Sequence, residues 1–318
     1  MDIRSKRTTK VNTGLKNKGL LAQVRKHWIL YLMLLPCLVY FFIFKYIPMG
    51  GLLLAFKEFK FNKSLLESPW VGFQYFEAFF SNYQFPQLLR NTIVIGLIKI
   101  VLEFPFPIIL ALMLNEVKSK RFKRISQTIS YLPHFISWVV AIAIVQRVLA
   151  PDIGLMNQFK TLFGGDGSTF YLMEGKYFYS ILFSSDIWKS IGWGSIIYLA
   201  AISGIDPQLY EAARIDGATK AKEIWHITLP GIRTTAGILF IMGLGGLIST
   251  GFEQLMLLRT PGNMSLADTL DVYVIKTGLT NGQYGYATAV GLIQGIVGLI
   301  LVITANKLSK KYSEVSVW

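Results

Sequence analysis

Five residues set in long apolar stretches carry flat aromatic or bidentate polar side chains that could hold a polar solute: Trp188, Trp193, Glu253, Gln254 and Gln294. Flat aromatic faces and bidentate polar groups hold such solutes. A polar side chain inside an apolar span is costly enough to read as functional by default. Plainer readings stand beside this one. Asp186 and Lys189 lie one helical turn apart and can simply pair. Residues near the end of a span can meet the membrane interface without touching any solute. Lys99 and Glu103, four apart near the middle of another apolar stretch, cancel charge on one face and are expected to form a structural pair. No catalytic constellation accompanies these residues. His27, His134 and His226 are far apart in the chain and show no ligand spacing, and the single cysteine, Cys37, lies in the apolar run LLPCLVYFF. An intrachain disulfide and a cysteine-based metal site are therefore excluded. GxxxxGK[ST], HExxH and G-x-S-x-G motifs are all absent.

The elements that must position these groups are spans. Of 318 residues, 53% are hydrophobic and 16% charged, against about a quarter charged in an ordinary soluble domain. Hydropathy predicts six membrane helices, at 28–47, 91–114, 125–149, 180–204, 234–257 and 285–305, each near the roughly 20 residues a bilayer requires. The run 28–47 has no small-x-small site after it and is expected to be a permanent span, not a cleaved signal. Lys and Arg fall unevenly around the spans: eight up to Lys26, five in KSKRFKR, four in 205–233 and three after Ala305, against seven in the alternate loops. Basic residues stay inside, so both termini are expected to be cytoplasmic. The same distribution accounts for a net charge of +14 through lipid head groups, with no nucleic acid needed. The expected organisation is a basic tail 1–27, a first span 28–47, an extracytoplasmic segment 48–86, a core 87–305 and a tail 306–318. Pro105, Pro107 and Pro133 should kink their helices. Gly243, Gly245 and Gly246, with Gly291, Gly295 and Gly298, should allow close helix packing.

Between the fourth and fifth spans lies DPQLYEAARIDGATKAKEIWHITLPGI, residues 206–232. Asp206 is a good N-cap and Pro207 suits the first helical position. A short helix is expected to about Asp216, with Gly217 ending it. A second helix, KAKEIWHIT, follows from a cap at Thr219, lacks a complete capping box and should stop at Pro230. Tyr210, Ala213, Ile215, Ile224, Trp225 and Ile227 leave apolar surface on a loop facing water, and Ala212 and Ala213 would let a helix sink into a partner's groove. On these grounds a lever gripped by another protein and an amphipathic helix resting on the bilayer are equally good readings.

The loop resembles the conserved segment of importer permeases in the ATP-binding-cassette (ABC) superfamily: EAA, three residues, Gly, nine residues, Ile, one residue, Leu-Pro. Glu211, Ala212, Ala213, Gly217, Ile227, Leu229 and Pro230 match with every spacing kept. The resemblance extends from about Val71 to the C-terminus and is strongest with the oligosaccharide or polysaccharide branch, although LLRTPGNMS departs from the Leu-Thr-x-Gly-Gly-Pro of many sugar permeases. It implies an all-α type I importer permease fold of the maltose- or methionine-permease kind, in the bacterial cytoplasmic membrane. It also implies that Tyr210, Asp216 and the matched residues couple to an ATPase. The implied partners are a second homologous permease, two ATPase subunits that hold ATP and magnesium, and an extracytoplasmic solute-binding protein; this chain would bind no cofactor. An ion-driven secondary transporter would predict inverted repeats, and none is seen. A membrane enzyme would need clustered acids, histidines or a nucleophile motif, and none is present.

Overall fold

A computed structural model describes residues 26–60 and 64–313. Most of the basic tail expected over 1–27, with Lys63 and 314–318, lies outside them. The chain divides into two units, 1–52 and 53–318. The first contains helix α1 (Trp28–Phe41), continued by a π-helical turn, Phe42–Tyr46.

The second unit is helical. Among its described residues the only bridge outside helices pairs Lys57 with Trp70. In order come α2 (Gln74–Phe80), α3 (Phe85–Glu103), α4 (Pro105–Glu116), α5 (Lys120–Tyr131), α6 (Trp138–Val148), α7 (Leu155–Leu162) and α8 (Phe178–Ser203). Then follow α9 (Pro207–Ile215), α10 (Lys220–Glu223), α11 (Leu229–Gly245), α12 (Phe252–Leu258), α13 (Met264–Ala267), α14 (Leu270–Ile275) and α15 (Tyr284–Ser313). Helices are what an apolar chain in lipid must form, because each satisfies its own backbone groups. Among the described residues, Trp28–Phe56, Phe85–Glu116, Lys220–Gly245 and Tyr284–Lys311 are long and apolar enough to cross a bilayer. A fifth joins them if Lys120–Phe135 and Trp138–Val148, bent by 106°, form one span. α8 has 26 residues, about 39 Å of helix, but Asp186, Lys189 and six serines dilute its apolar character.

Where spans depart from straight helices, the breakers are legible. The break between α3 and α4 falls at Phe104, ahead of Pro105 and Pro107. The bend after α5 falls at the 3-10 turn Leu132–Phe135, which holds Pro133. The fifth predicted span differs more: α11 ends at Gly245, a turn follows, and Gly251 at φ +81° redirects the chain into α12. Glu253 and Gln254 therefore sit on a separate short helix. Pro230 does not stop the helix before it. A π-helical turn over Ile224–Thr228 carries α10 into α11 and shifts the hydrogen-bond register there, so the missing proline N–H falls at the start of a new α-helical run.

α8 is the central post. Phe178, Ile181, Leu182 and Phe183 pack with Ile95, Ile142, Leu255 and Val272. Nearer its other end, Tyr198 and Ile202 pack with Ala111 of α4 and Ile232 of α11. α5 approaches α8 at Gly192, where any Cβ would overlap the Ser130 carbonyl. Small residues at such crossings let backbones meet where no hydrophobic effect between helices is available.

Candidate functional site

The loop between α8 and α11 builds a short, rigid lever. The Asp206 carboxylate accepts the Gln208 N–H at 3.0 Å, and Pro207 occupies the first turn. At the other end Ala218 N–H reaches Ala213 O at 2.9 Å and Gly217 N–H reaches Arg214 O at 3.1 Å. Those two bonds and φ +75° at Gly217 make a Schellman motif, in which a left-handed residue closes the helix. Thr219 makes no side-chain cap.

Charge fastens the lever to the bundle. Glu223, buried, accepts Arg214 Nε at 2.9 Å and Lys220 Nζ at 2.8 Å. Lys220 also approaches Glu116, at the end of α4, at 3.4 Å. The hydrogen bonds from Arg214 and then Lys220 hold the Glu223 carboxyl down at about 2. The same bonds raise Arg214 and Lys220. Tyr210 Oη and Thr228 Oγ1 meet at 3.0 Å. Glu211, Ala212 and Asp216 are exposed, Ala213 is half-buried, and Ile215 is 86% exposed. Leu229 and Ile227 are half-buried and Pro230 is exposed. The result is an outward face of Glu211, Ala212 and Ile215, with its back anchored by Tyr210, Arg214 and Glu223. Arg214 and Glu223 are nine apart across a turn, and no helical spacing announces the pair.

Inside the bundle the polar residues form a second arrangement. Lys99 Nζ lies 2.9 Å from Asp186 Oδ2 and 4.0 Å from Glu103, so the expected Lys99–Glu103 pair is secondary to a link between α3 and α8. The contact is an ion pair by distance, while Asp186 Oδ2 accepts no well-directed hydrogen bond. Lys99 also meets Gln254 Oε1 at 3.4 Å. Gln254, 1% exposed, donates to Leu182 O at 2.8 Å and Ser185 Oγ at 3.1 Å. The expected Asp186–Lys189 pair does not form: Lys189 donates to His134 O at 3.0 Å and lies over the Trp138 ring. Lys99 and Glu103 face a cavity of about 460 Å³ shared with Tyr198, Phe240 and Ser249.

The five solute candidates do not converge. Gln254 belongs to the buried cluster. Trp188 lines a different, apolar cavity with Ile144 and Tyr177. Trp193 stacks on His134 at 4.5 Å, and Glu253 is exposed. Gln294 donates to Asp271 at 3.2 Å beside Gly245 and Gly295.

Known proteins share this architecture. The chain is 43% identical over 303 residues to the polygalacturonan/rhamnogalacturonan transport system permease protein YteP of Bacillus subtilis (strain 168), covering 95% of this chain and 94% of that protein. It is 42% identical to protein LplB of the same organism, covering 98% of each. Among solved structures, a bacterial ABC transporter involved in the import of the acidic polysaccharide alginate matches with TM-score 0.84 and 40% identity, over 92% of this chain and 99% of that one. The same kind of transporter in complex with an alginate pentasaccharide-bound periplasmic protein matches with TM-score 0.85 and 39% identity, over 94% and 99%. The family model for the binding-protein-dependent transport system inner membrane component matches residues 103–314, and the chain belongs to that family, as a sugar-transporting ABC importer permease.

Proposed function

We propose that the chain is the membrane half of an ATP-driven oligosaccharide importer in the bacterial cytoplasmic membrane, worked through the Glu211-Ala212-Ala213 loop by separate ATPase subunits. Six spans cross the bilayer, with α8 and the bent α5–α6 pair among them, and both termini lie on the cytoplasmic side. A second, homologous permease completes the pathway, and an extracytoplasmic binding protein delivers the sugar. ATP and magnesium act on the ATPases alone.

The observation that carries this reading is the construction of α9: capped at both ends, tied at its back by Arg214 and Glu223, and bare on its face. A nine-residue helix with so few internal bonds is marginal alone, so its caps and ion pairs give it the stiffness to pass on a push. Closure of the ATPases moves α9, and the tie through Lys220 to Glu116 transmits that motion to α4 and the spans, which open outward in turn. Trp188, Trp193, Glu253, Gln254 and Gln294 serve the solute route at separate points, Gln254 by holding Lys99 beside the polar cavity.

The experiment is reconstitution of this chain with its sister permease, ATPases and binding protein in proteoliposomes, scored for ATP-dependent sugar uptake. Uptake should require ATP and should fail when Ala213 is replaced by a large residue such as Arg, with the subunit still in the membrane. Sugar movement by this chain without any ATPase would overturn the reading.

A further inference from the structure

A second polar cavity, of about 700 Å³, lies between α2 and the start of α15. Ser309, near the other end of α15, shares a cavity with Trp225 of the coupling loop. Tyr284 comes twenty-five residues earlier on that helix, about 37 Å away along its axis. The cavity is therefore at the end of the bundle remote from the ATPase-coupling face. Its walls are built for hydroxyl groups. Tyr75, Tyr273, Tyr284 and Tyr286 all line it, with Gln74 and Gln283.

The back wall is set by one network. Asn82 Nδ2 donates to Tyr273 Oη at 2.9 Å and approaches Tyr286 Oη at 3.4 Å, and the two phenols are 3.2 Å apart. Asn82 Oδ1 is itself fixed by the Gln84 N–H at 2.9 Å. Tyr75 crosses Tyr286 edge to face. Burial, and behind it the Glu58 carboxylate, push the Tyr75 hydroxyl up, which keeps it a donor. The side-chain amides of Gln74 and Gln283 make no hydrogen bond among the described residues, and both residues are exposed. They offer a donor and an acceptor each at the rim of an aromatic wall. Gly285 lets the walls close, since a Cβ there would overlap the Tyr75 ring and approach the Leu54 carbonyl.

Charge narrows the ligand. Among the described residues Glu58 lines the cavity and no Lys or Arg does; Lys60, 3.5 Å from Glu58, offsets its charge from outside. A carboxylate ligand would meet the Glu58 carboxylate in the wall, and among the described lining residues no cation to pair with. Aromatic faces beside the Gln74 and Gln283 amides and the Tyr75 hydroxyl suit an uncharged sugar ring, which stacks its C–H face and hydrogen-bonds its hydroxyls.

We infer that this cavity is a saccharide subsite at the outer end of the bundle, separate from the Lys99 cavity, that takes uncharged sugar rings and not uronates. The inference rests on the transport reading for its side of the membrane and its source of ligand. It gives the permease its own hold on a chain before that chain enters the spans.

The test uses the full chain in lipid nanodiscs and saturation-transfer NMR with two probes, an α-1,4-linked tetragalactoside and tetragalacturonate, which differ at C6 alone. The tetragalactoside should bind saturably, and Gln283→Ala, at an exposed site, should weaken it roughly fivefold, as loss of about one hydrogen bond does. Tyr75→Phe should weaken it similarly and Tyr75→Ala should remove it, while tetragalacturonate binds more weakly than the neutral probe. The inference is overturned if the tetragalactoside fails to saturate, if Gln283→Ala and Tyr75→Phe both bind as the parent does, or if tetragalacturonate binds as tightly. ATP-driven uptake by the assembled complex is scored separately. Uptake without pocket binding sinks this inference alone, and pocket binding without uptake sinks the transport reading alone.

Discussion

Glu223 receives the Arg214 guanidinium at 2.9 Å across the turn that Gly217 makes. The pair joins the end of the lever α9 to the start of the long helix that becomes α11. Lys220 completes the clasp from the other side and extends it to Glu116 of α4. The loop is thus held by charges on three helices, all with partners inside the same chain, while Glu211 and Ala212 stay exposed.

Glu223→Gln keeps the shape of the side chain and removes its charge. The variant should stay in the membrane, with its ATPase docking more weakly and ATP hydrolysis poorly coupled to uptake. The pH response follows from the lowered carboxyl. A group held at about 2 in the folded protein, against about 4.3 unfolded, adds stability that is fully present above the unfolded value and is lost as pH falls toward the folded one. Amide-exchange protection of α9 should therefore be level from pH 8 to 5 and decline below about 4. In Glu223→Gln it should be lower throughout and lack that acid decline; identical profiles would show that the clasp does not hold the lever.

Gly217 separates a backbone effect from a docking effect. Its φ of +75° is strained for residues with a Cβ, at about 1–2 kcal/mol, yet nothing lies within 4 Å of a Cβ built there. Gly217→Ala and Gly217→Asn should thus both fold, Asn with less strain because it tolerates the left-handed region. Gly217→Asp should fold as Asn does but add bulk and negative charge to the docking face, abolishing ATPase co-purification. Equal ATPase binding by the Asn and Asp variants, with full transport, would remove this turn from the interface.

Lys99 and Asp186 form a largely buried ion pair inside the bundle. Both side chains are largely buried, at 13% and 6% exposure, so removing Lys99 leaves Asp186 without its cation, and removing Asp186 leaves Lys99 only the more distant Glu103 at 4.0 Å. Breaking a buried pair from one side typically costs about 3–5 kcal/mol. Lys99→Met should lower the thermal midpoint of the detergent-solubilised subunit markedly, and so should Asp186→Leu. The double variant should recover much of the loss, because apolar replacements of a buried pair are often tolerated. Additive losses would mean that the two side chains do not act as a pair.

Local chemistry in this chain was readable, and partner choice across the bundle was not. Asp206, Pro207 and Gly217 announce α9 by their types and order, and Pro105 and Pro133 mark their breaks, because caps and breakers act within one turn. Lys99 has Glu103 at the right helical spacing, but it turns to Asp186, eighty-seven positions on, because α8 places a deeper carboxylate within 2.9 Å. Lys189 turns from Asp186 for a related reason, since the bend after α5 frees the His134 carbonyl beside it. The π-helical turn ahead of Pro230 was also hidden: proline ordinarily stops a helix, and only a shifted register upstream absorbs it. The five solute candidates share a composition but not a location, since hydropathy gives depth in the membrane and says nothing of which helix faces which.

Glycines in the spans are alike in sequence and unlike in place, which gives the last prediction. Gly243, Gly291 and Gly295 have nothing within 4 Å of a built Cβ, whereas Gly192 meets the Ser130 carbonyl and Gly96 the Leu247 carbonyl. The contacted atoms are backbone, so no side-chain rotation can relieve the overlap, and α5 must move away from α8. Gly192→Ala should therefore loosen the α5–α8 contact, displace the neighbouring Lys189–His134 bond and raise protease sensitivity near Pro133. Gly243→Ala adds a methyl to open space in the isolated subunit, so it should leave that subunit's thermal midpoint unchanged. If it nevertheless weakens co-purification of the sister permease, Gly243, which lines the Lys99 cavity, lies where that subunit packs. If Gly192→Ala matches the parent in midpoint and protease pattern, the close crossing of α5 and α8 is not what holds this end of the bundle.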